Sequence, residues 1–179
     1  MISKTTPPVI ESGRLRLRSL TVADLPMTLA WRNQDAIRKW FFHSEIISPE
    51  QHRAWFESYQ EKDNDFVFVI EEKRVLQRAV GQVSLYNIDW EKKRAEFGRL
   101  MIGDSEARGL GLAQEATRIL IEFAERELGL REIYLEVYAD NLPAIAVYRD
   151  CGFSVTETQE GILHMRCNCD RSRTSGLSS

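Results

Sequence analysis

The stretch Arg108-Gly109-Leu110-Gly111-Leu112-Ala113 decides the architecture of this 179-residue chain. Upstream of it, Ala95 to Ile102 has the apolar content of a strand. Downstream, Gly111 to Leu128 places Leu112, Ala116, Ile119, Leu120, Phe123 and Ala124 on one side of a helix, and Gly129 follows as a stop. A strand, a glycine-bearing turn and a helix N-terminus in succession make an anion site. The first backbone N–H groups of the helix lack internal acceptors, and the helix dipole favours negative charge there. Glycine at 109 and 111 lets the backbone approach a pyrophosphate closely. The run lacks the Gly-x-x-x-x-Gly-Lys-Ser/Thr pattern of nucleotide hydrolysis, and it does not follow the first strand as Gly-x-Gly-x-x-Gly. Taken alone, a plain structural turn accounts for it equally well.

Working outward, Met1 to Gly13 is read as a loose lead-in. Leu15 and Leu17 alternate with Arg14, Arg16 and Arg18 as in a half-buried strand. Thr21 stands three residues before Asp24 as an N-cap for a helix reaching Arg32, with Pro26 tolerated in its first turn. Ser48-Pro49-Glu50-Gln51 is a capping box with proline at the first helical position. His52, Trp55, Phe56 and Tyr59 then give the following helix an aromatic face, either core or groove wall. Phe66 to Ile70 is an unbroken apolar run, expected of a strand covered on both sides, and it forms a hairpin with Ala79 to Tyr86. Ile133 to Tyr138 alternates as a strand. Asn141 to Asp150 is a short helix ended by Gly152, and Phe153 to Thr158 with Ile162 to Cys167 forms a closing hairpin. The Ser/Arg/Gly-rich run 170–179 is expected to lack order. The pattern is a single α/β (α+β) domain over residues 14–169 with about four helices.

Bulk properties narrow the function classes. The formal net charge of −3 argues against a nucleic-acid partner. Three cysteines, Cys151, Cys167 and Cys169, form no disulfide framework, and Cys167-Asn168-Cys169 has no histidine cluster nearby, so no metal site is expected. No apolar run approaches the ~18 residues of a membrane span, and Met1 to Ser12 has no apolar signal core. The expectation is a cytoplasmic protein, monomeric or homodimeric.

Arg108-x-x-Gly111-x-Ala113, a long amphipathic helix, a strand, then Asn141-x-x-Ala144-x-x-x-Tyr148-x-x-x-Gly152-Phe153 resembles the GNAT N-acetyltransferase superfamily. The resemblance spans Leu15 to Met165, with two separate motifs in order. It implies a mixed, mostly antiparallel sheet with a V-shaped splay at its centre, and acetyl-CoA as co-substrate without a metal. It further implies that the amides of Arg108, Gly109, Leu110, Gly111, Leu112 and Ala113 hold the CoA pyrophosphate. The pantetheine arm would bond like an added strand to the backbone of Leu100, Met101 and Ile102. Asn141 matches a position that contacts the cofactor or fixes the turn, and as a plain N-cap it would be equally at home.

Attack of an amine on a thioester requires a proton to leave the amine and one to reach the departing thiolate. By resemblance Tyr148 supplies the latter, its alternative being an aromatic packing residue. Glu96 is the candidate base, its alternative a surface or salt-bridged carboxylate. By simple alternation Glu96, Gly98, Leu100 and Ile102 share one strand face unless a bulge intervenes. His43 lies in a loop that lines the acceptor site in this family, whereas His52 and His164 read as structural.

For the acceptor, Trp31, Arg32, Asn33, Trp40 and His43 could stack on a base or sugar and pair with phosphate. The run Trp31-Arg32-Asn33 followed by Arg38-Lys39-Trp40-Phe41, then the capped helix with Trp55-Phe56, is similar to two branches of the family. One acetylates nucleotide-linked amino sugars and the other ribosomal-protein N-termini. The expectation is an N-acetyltransferase acting on a small-molecule amine such as a nucleotide-linked amino sugar. The alternatives are a protein N-terminal acetyltransferase and a non-catalytic CoA-binding module. The same aromatic and charged residues could equally be core and solvated surface.

Overall fold

Phe66 to Ile70 is buried along its whole length, no residue of it exceeding 1% exposure. An unbroken apolar run needs cover on both faces, so helices must lie on each side of the sheet that contains it. The computed structural model describes residues 2–169, so the expectation for 170–179 lies outside the described residues. In chain order the elements are β1 (Ile10–Glu11), β2 (Leu15–Ser19), α1 (Leu25–Arg32), α2 (Asp35–Arg38), α3 (Pro49–Gln60) and β3 (Phe66–Glu72). They continue with β4 (Arg78–Asp89), β5 (Arg94–Ile102), α4 (Leu112–Arg126), β6 (Glu132–Tyr138), α5 (Leu142–Asp150), β7 (Ser154–Gln159) and β8 (Ile162–Asn168). The eight strands form one sheet in the order β1-β2-β3-β4-β5-β6-β8-β7, in which only β5 and β6 run parallel.

Phe66, Phe68 and Ile70 join Leu112, Ala116 and Leu120 of α4 and Ile145 of α5 in the larger core. Val67 and Val69 point the other way, onto Phe56 and Tyr59 of α3. The aromatic stripe of α3 is therefore core at Phe56 and Tyr59, while His52 and Trp55 are half-buried and stack on each other at 5.5 Å. The capping box at Ser48 forms as expected, with the Gln51 N–H donating to Ser48 Oγ and the Ser48 N–H donating to Gln51 Oε1.

Two features depart from expectation. The described residues contain five helices rather than about four, because Asp35 to Arg38 closes a single turn too short to carry a periodicity. Residues 10–12 of the lead-in are also tied to the domain rather than loose. Ile10 and Glu11 pair with Leu17 and Arg16, and the Ser12 hydroxyl donates to Glu115 of α4 at 2.6 Å.

Two buried carboxylates, Glu72 and Glu115, are expected to make this fold acid-sensitive. Glu72 accepts the backbone N–H groups of Leu76, Arg74 and Val75 and so clasps the β3–β4 turn, which holds its carboxyl below the usual range, Leu76 contributing most. At Glu115 burial opposes ionisation, but bonds from Ser12 and Arg14 prevail and its pKa is also lowered. A carboxyl depressed on folding contributes stability above its unfolded pKa and loses it as pH falls through the folded value. The melting temperature is therefore expected to hold from pH 7 to about 5 and to fall below about pH 4. Glu72→Gln should lower it at neutral pH and flatten the acid limb. An acid limb as steep as wild type's in that variant would show that Glu72 does not set it.

Candidate active site

The sheet opens at its only parallel junction. β5 and β6 are in register at Arg94–Glu132, Ala95–Ile133 and Glu96–Tyr134, and no ladder pair joins them beyond that point. From Phe97 onward the edge of β5 facing β6 therefore presents unpaired backbone groups to a cleft, the arrangement that accepts an added strand. The expected V-shaped splay is thus present, and Leu100, Met101 and Ile102 lie along its β5 arm.

A bulge in β5 sets which side chains face where. Gln82 of β4 stands opposite Met101 and Ser84 opposite Gly98, so Val83 faces two residues, Arg99 and Leu100. Arg99 takes up a left-handed φ of 51°. The extra residue reverses the alternation, and Glu96 and Gly98 consequently share a face with Met101 rather than with Leu100 and Ile102. That face is the side of α1 to α3, whereas Phe97 points toward α4 and α5.

The splay lets one cleft, of about 470 Å³, reach both faces of the sheet. Trp40, Phe42, Tyr86 and Glu96 line it from one face; Ala113, Asn141, Val147 and Tyr148 line it from the other. Phe42, in the segment after α2, touches Tyr138 at a ring separation of 4.9 Å and so ties that segment to the end of β6. Glu96 accepts Tyr86 Oη–H at 2.7 Å and Asn87 Nδ2–H at 3.1 Å. Burial, and then the Glu96 carboxylate, push the Tyr86 phenol upward in pKa, so it remains a donor to that carboxylate. A carboxylate has further lone pairs, so Glu96 can still accept another proton donor. Tyr148 is buried with its ring edge-on to Phe97 and Phe153 at 5.8 and 5.9 Å. Burial, and to a lesser degree Cys151, raise its pKa, which keeps the phenol protonated. The cleft thus holds a carboxylate on one wall and a protonated phenol on the other.

At the cleft's end Gly109 and Gly111 adopt φ of 77° and 75°, the left-handed region where glycine is favoured. Gly111 is the N-cap of α4 and supplies no side-chain acceptor, so the first amides of that helix are left for a ligand. Asn141 caps α5 by accepting the Ala144 N–H at 3.4 Å and lines the cleft as well.

A family model described as an acetyltransferase (GNAT) domain matches residues 14–154. This chain belongs to the GNAT acetyltransferase family. GNAT members use acetyl-CoA, and the enzyme class and donor expected from the sequence accord with that membership. An uncharacterised protein of Methanocaldococcus jannaschii is 23% identical over 82% of the chain, which spans only 29% of that relative's length. Spermidine N(1)-acetyltransferase of Vibrio cholerae is 26% identical over 79% of this chain and 80% of its own. The crystal structure of spermidine N-acetyltransferase from Vibrio cholerae in complex with CoA and spermine shares the fold. Its TM-score is 0.79 at 23% identity, covering 89% of this chain and 98% of that one.

Within this GNAT domain the residues singled out for the acceptor separate into two groups. Trp40 lines the cleft, and Arg32 and His43 line a second chamber beside it. Trp31 is buried against Gly103, where an added Cβ would fall 2.0 Å from the indole, so this tryptophan supports the loop from beneath. Asn33 spends its side chain on Ile47, donating to its carbonyl and accepting its N–H, and thereby pins the segment entering α3. Neither lines the cleft or the chamber.

Several supporting residues lie far from the motifs in sequence. Arg14 pairs with Glu115 and donates to the Leu110 carbonyl at 2.9 Å, which fixes the loop from outside. Gln34 donates to the Gly103 carbonyl and accepts from Arg108 Nη2, joining α2 to the same loop. Arg99 is held by Asp65 at 2.7 Å and covers the Tyr86 ring at 4.1 Å. No cluster of metal-ligating side chains occurs among the described residues. None of their helices is long and apolar enough to cross a membrane.

Proposed function

We propose that this chain transfers the acetyl group of acetyl-CoA to the primary amine of a small molecule, a nucleotide-linked amino sugar being the acceptor favoured by its sequence. The observation that carries this reading is the through-sheet cleft, with Glu96 and Tyr148 on opposite walls. In it the pyrophosphate rests on the amides of Arg108 to Ala113, and the pantetheine lies along Leu100 to Ile102. The amine nitrogen attacks the thioester carbonyl carbon. Glu96, directly or through water, takes the amine proton. As the C–S bond breaks, Tyr148 gives its hydroxyl proton to the CoA thiolate, leaving an amide and free CoA thiol. Main-chain N–H groups of the β5 edge polarise the carbonyl oxygen. The volume of the cleft, about 470 Å³, favours a small acceptor over a polypeptide N-terminus. The retention of both Glu96 and Tyr148 favours turnover over CoA binding alone. The place of action consistent with this donor is the cytoplasm.

Spermidine, named for the Vibrio cholerae and Escherichia coli relatives, is the competing small amine. A thiol-release assay over amino sugars, sugar nucleotides, amino acids, polyamines and N-terminal peptides tests the reading. The expected result is acetyl-CoA-dependent turnover of at least one small amine. Stabilisation by acetyl-CoA with no amine turned over would overturn it in favour of a binding module.

A further inference from the structure

The chamber of about 390 Å³ beside the cleft has a charge character of its own. Its wall includes Arg32, Arg99, His43, His52, Phe41 and Trp55, with no Asp or Glu among the described residues lining it. Phe41, Arg99 and Met101 line both chamber and cleft, so the two spaces share a wall at the β5 bulge. The carboxylates that line either space, Glu96 and Glu136, are on the cleft side only.

The two arginines differ in commitment. Arg99 forms a two-point pair with Asp65 and is internally neutralised. Arg32 is paired with no carboxylate among the described residues. It is 7% exposed, its Nη2 donates to the His43 carbonyl, and its Nη1 has no partner among the described residues although it is buried. Its guanidinium lies 4.3 Å from the centre of the Phe41 ring. A buried cation with an unmade hydrogen bond is costly, and an anion supplied by a ligand would relieve it. Burial, and then repulsion from Arg38, lower the pKa of Arg32, while His52 is lowered by burial and then by Arg32. Arg32 is thus the cation of this chamber that no carboxylate among the described residues pairs with.

Resting on the acetyl-transfer reading, we infer that this chamber is an oxyanion subsite. Arg32 takes a phosphate or carboxylate of the acceptor while the acceptor's amine lies beside Glu96. The substrate class is then an amine carrying an anionic group, with its positive end toward Glu96 and its negative end toward Arg32. A polyamine is the wrong class for this chamber, since an ammonium placed there would meet the Arg32 guanidinium and none of the carboxylates, Glu96 and Glu136, that line the cleft.

The test is calorimetric titration of the CoA-saturated protein with inorganic phosphate, UDP, succinate and spermidine, using wild type, Arg32→Gln and Arg32→Lys. At least one anion is expected to bind wild type, at least about tenfold more weakly to Arg32→Gln, with Arg32→Lys in between. UDP ahead of phosphate would identify a nucleotide as the source, and succinate ahead of both a carboxylate. In turnover, Arg32→Gln should raise KM for an anionic amine and leave that for its neutral ester or amide analogue unchanged. Binding of spermidine but of no anion by wild type would overturn the subsite whatever the variants do. So would an equal rise of both KM values. Arg32-dependent anion binding without turnover of any amine would uphold the subsite and reject the transferase reading. Turnover indifferent to the acceptor's charge would do the reverse.

Discussion

Gly109→Asp is expected to weaken acetyl-CoA binding by about 100-fold or more, read as Kd in a calorimetric titration. Space in front of Gly109 is open, with no atom within 4 Å of an added Cβ. A carboxylate there stands where the pyrophosphate would rest. Two like charges about 5 Å apart repel by about 3 kcal/mol at the effective dielectric of a protein surface, enough for two decades in Kd. Backbone strain adds less, because aspartate tolerates the left-handed region better than most residues. Gly111 is the weaker choice for this test. Its added Cβ lies 3.6 Å from Nη2 of Arg14, so a carboxylate there would be partly neutralised. Gly109→Ala separates the two causes, keeping the strained φ of 77° without the charge, and should cost only a fewfold loss. An unaltered Kd in Gly109→Asp would remove the pyrophosphate from this loop.

The loop was legible because its signals are local. Glycines at 109 and 111, the apolar face of α4, and the spacing to Asn141 and Tyr148 lie within one readable stretch, as does the capping box at Ser48. What surrounds the loop was not, because it comes from distant chain. Arg14 and Glu115 are 101 residues apart, and Gln34 and Arg108 are 74 apart. No periodicity links such pairs, and an arginine alternating along β2 reads as a solvated strand face.

The bulge at Arg99 failed to announce itself for another reason. Bulges with a left-handed residue are usually signalled by glycine, and here an arginine takes that φ. It is held there by Asp65 and by the face of Tyr86, neither of which is a neighbour in sequence. The consequence is for the lining of the candidate site. Without the bulge, Leu100 and Ile102 would share Glu96's face. With it, Met101 takes that place and Arg99 reaches the wall common to cleft and chamber. The residues expected at the acceptor illustrate a complementary limit. Trp31, Arg32 and Asn33 are consecutive, yet a helix turns them apart, so one supports a glycine, one lines the chamber and one pins Ile47.

Tyr148→Phe should lower kcat by about 100-fold or more, as loss of a positioned acid does, while KM for acetyl-CoA changes little. The phenyl ring can keep the edge-on contacts with Phe97 and Phe153, so the melting temperature should hold and the loss be assignable to the hydroxyl. The pH profile supplies an independent check. Burial raises the Tyr148 pKa, so the phenol stays protonated as pH rises, and wild-type kcat should show no loss from its ionisation up to about pH 10. Glu96→Gln should act differently. It keeps an acceptor oxygen for one of the Tyr86 and Asn87 donors but removes the proposed base, so its rate should recover as pH rises and the free amine becomes abundant. Recovery in Glu96→Gln but not in Tyr148→Phe would assign base and acid to separate walls of the cleft. Wild-type activity in Tyr148→Phe would instead leave that ring as packing between Phe97 and Phe153, with the departing thiolate protonated by solvent.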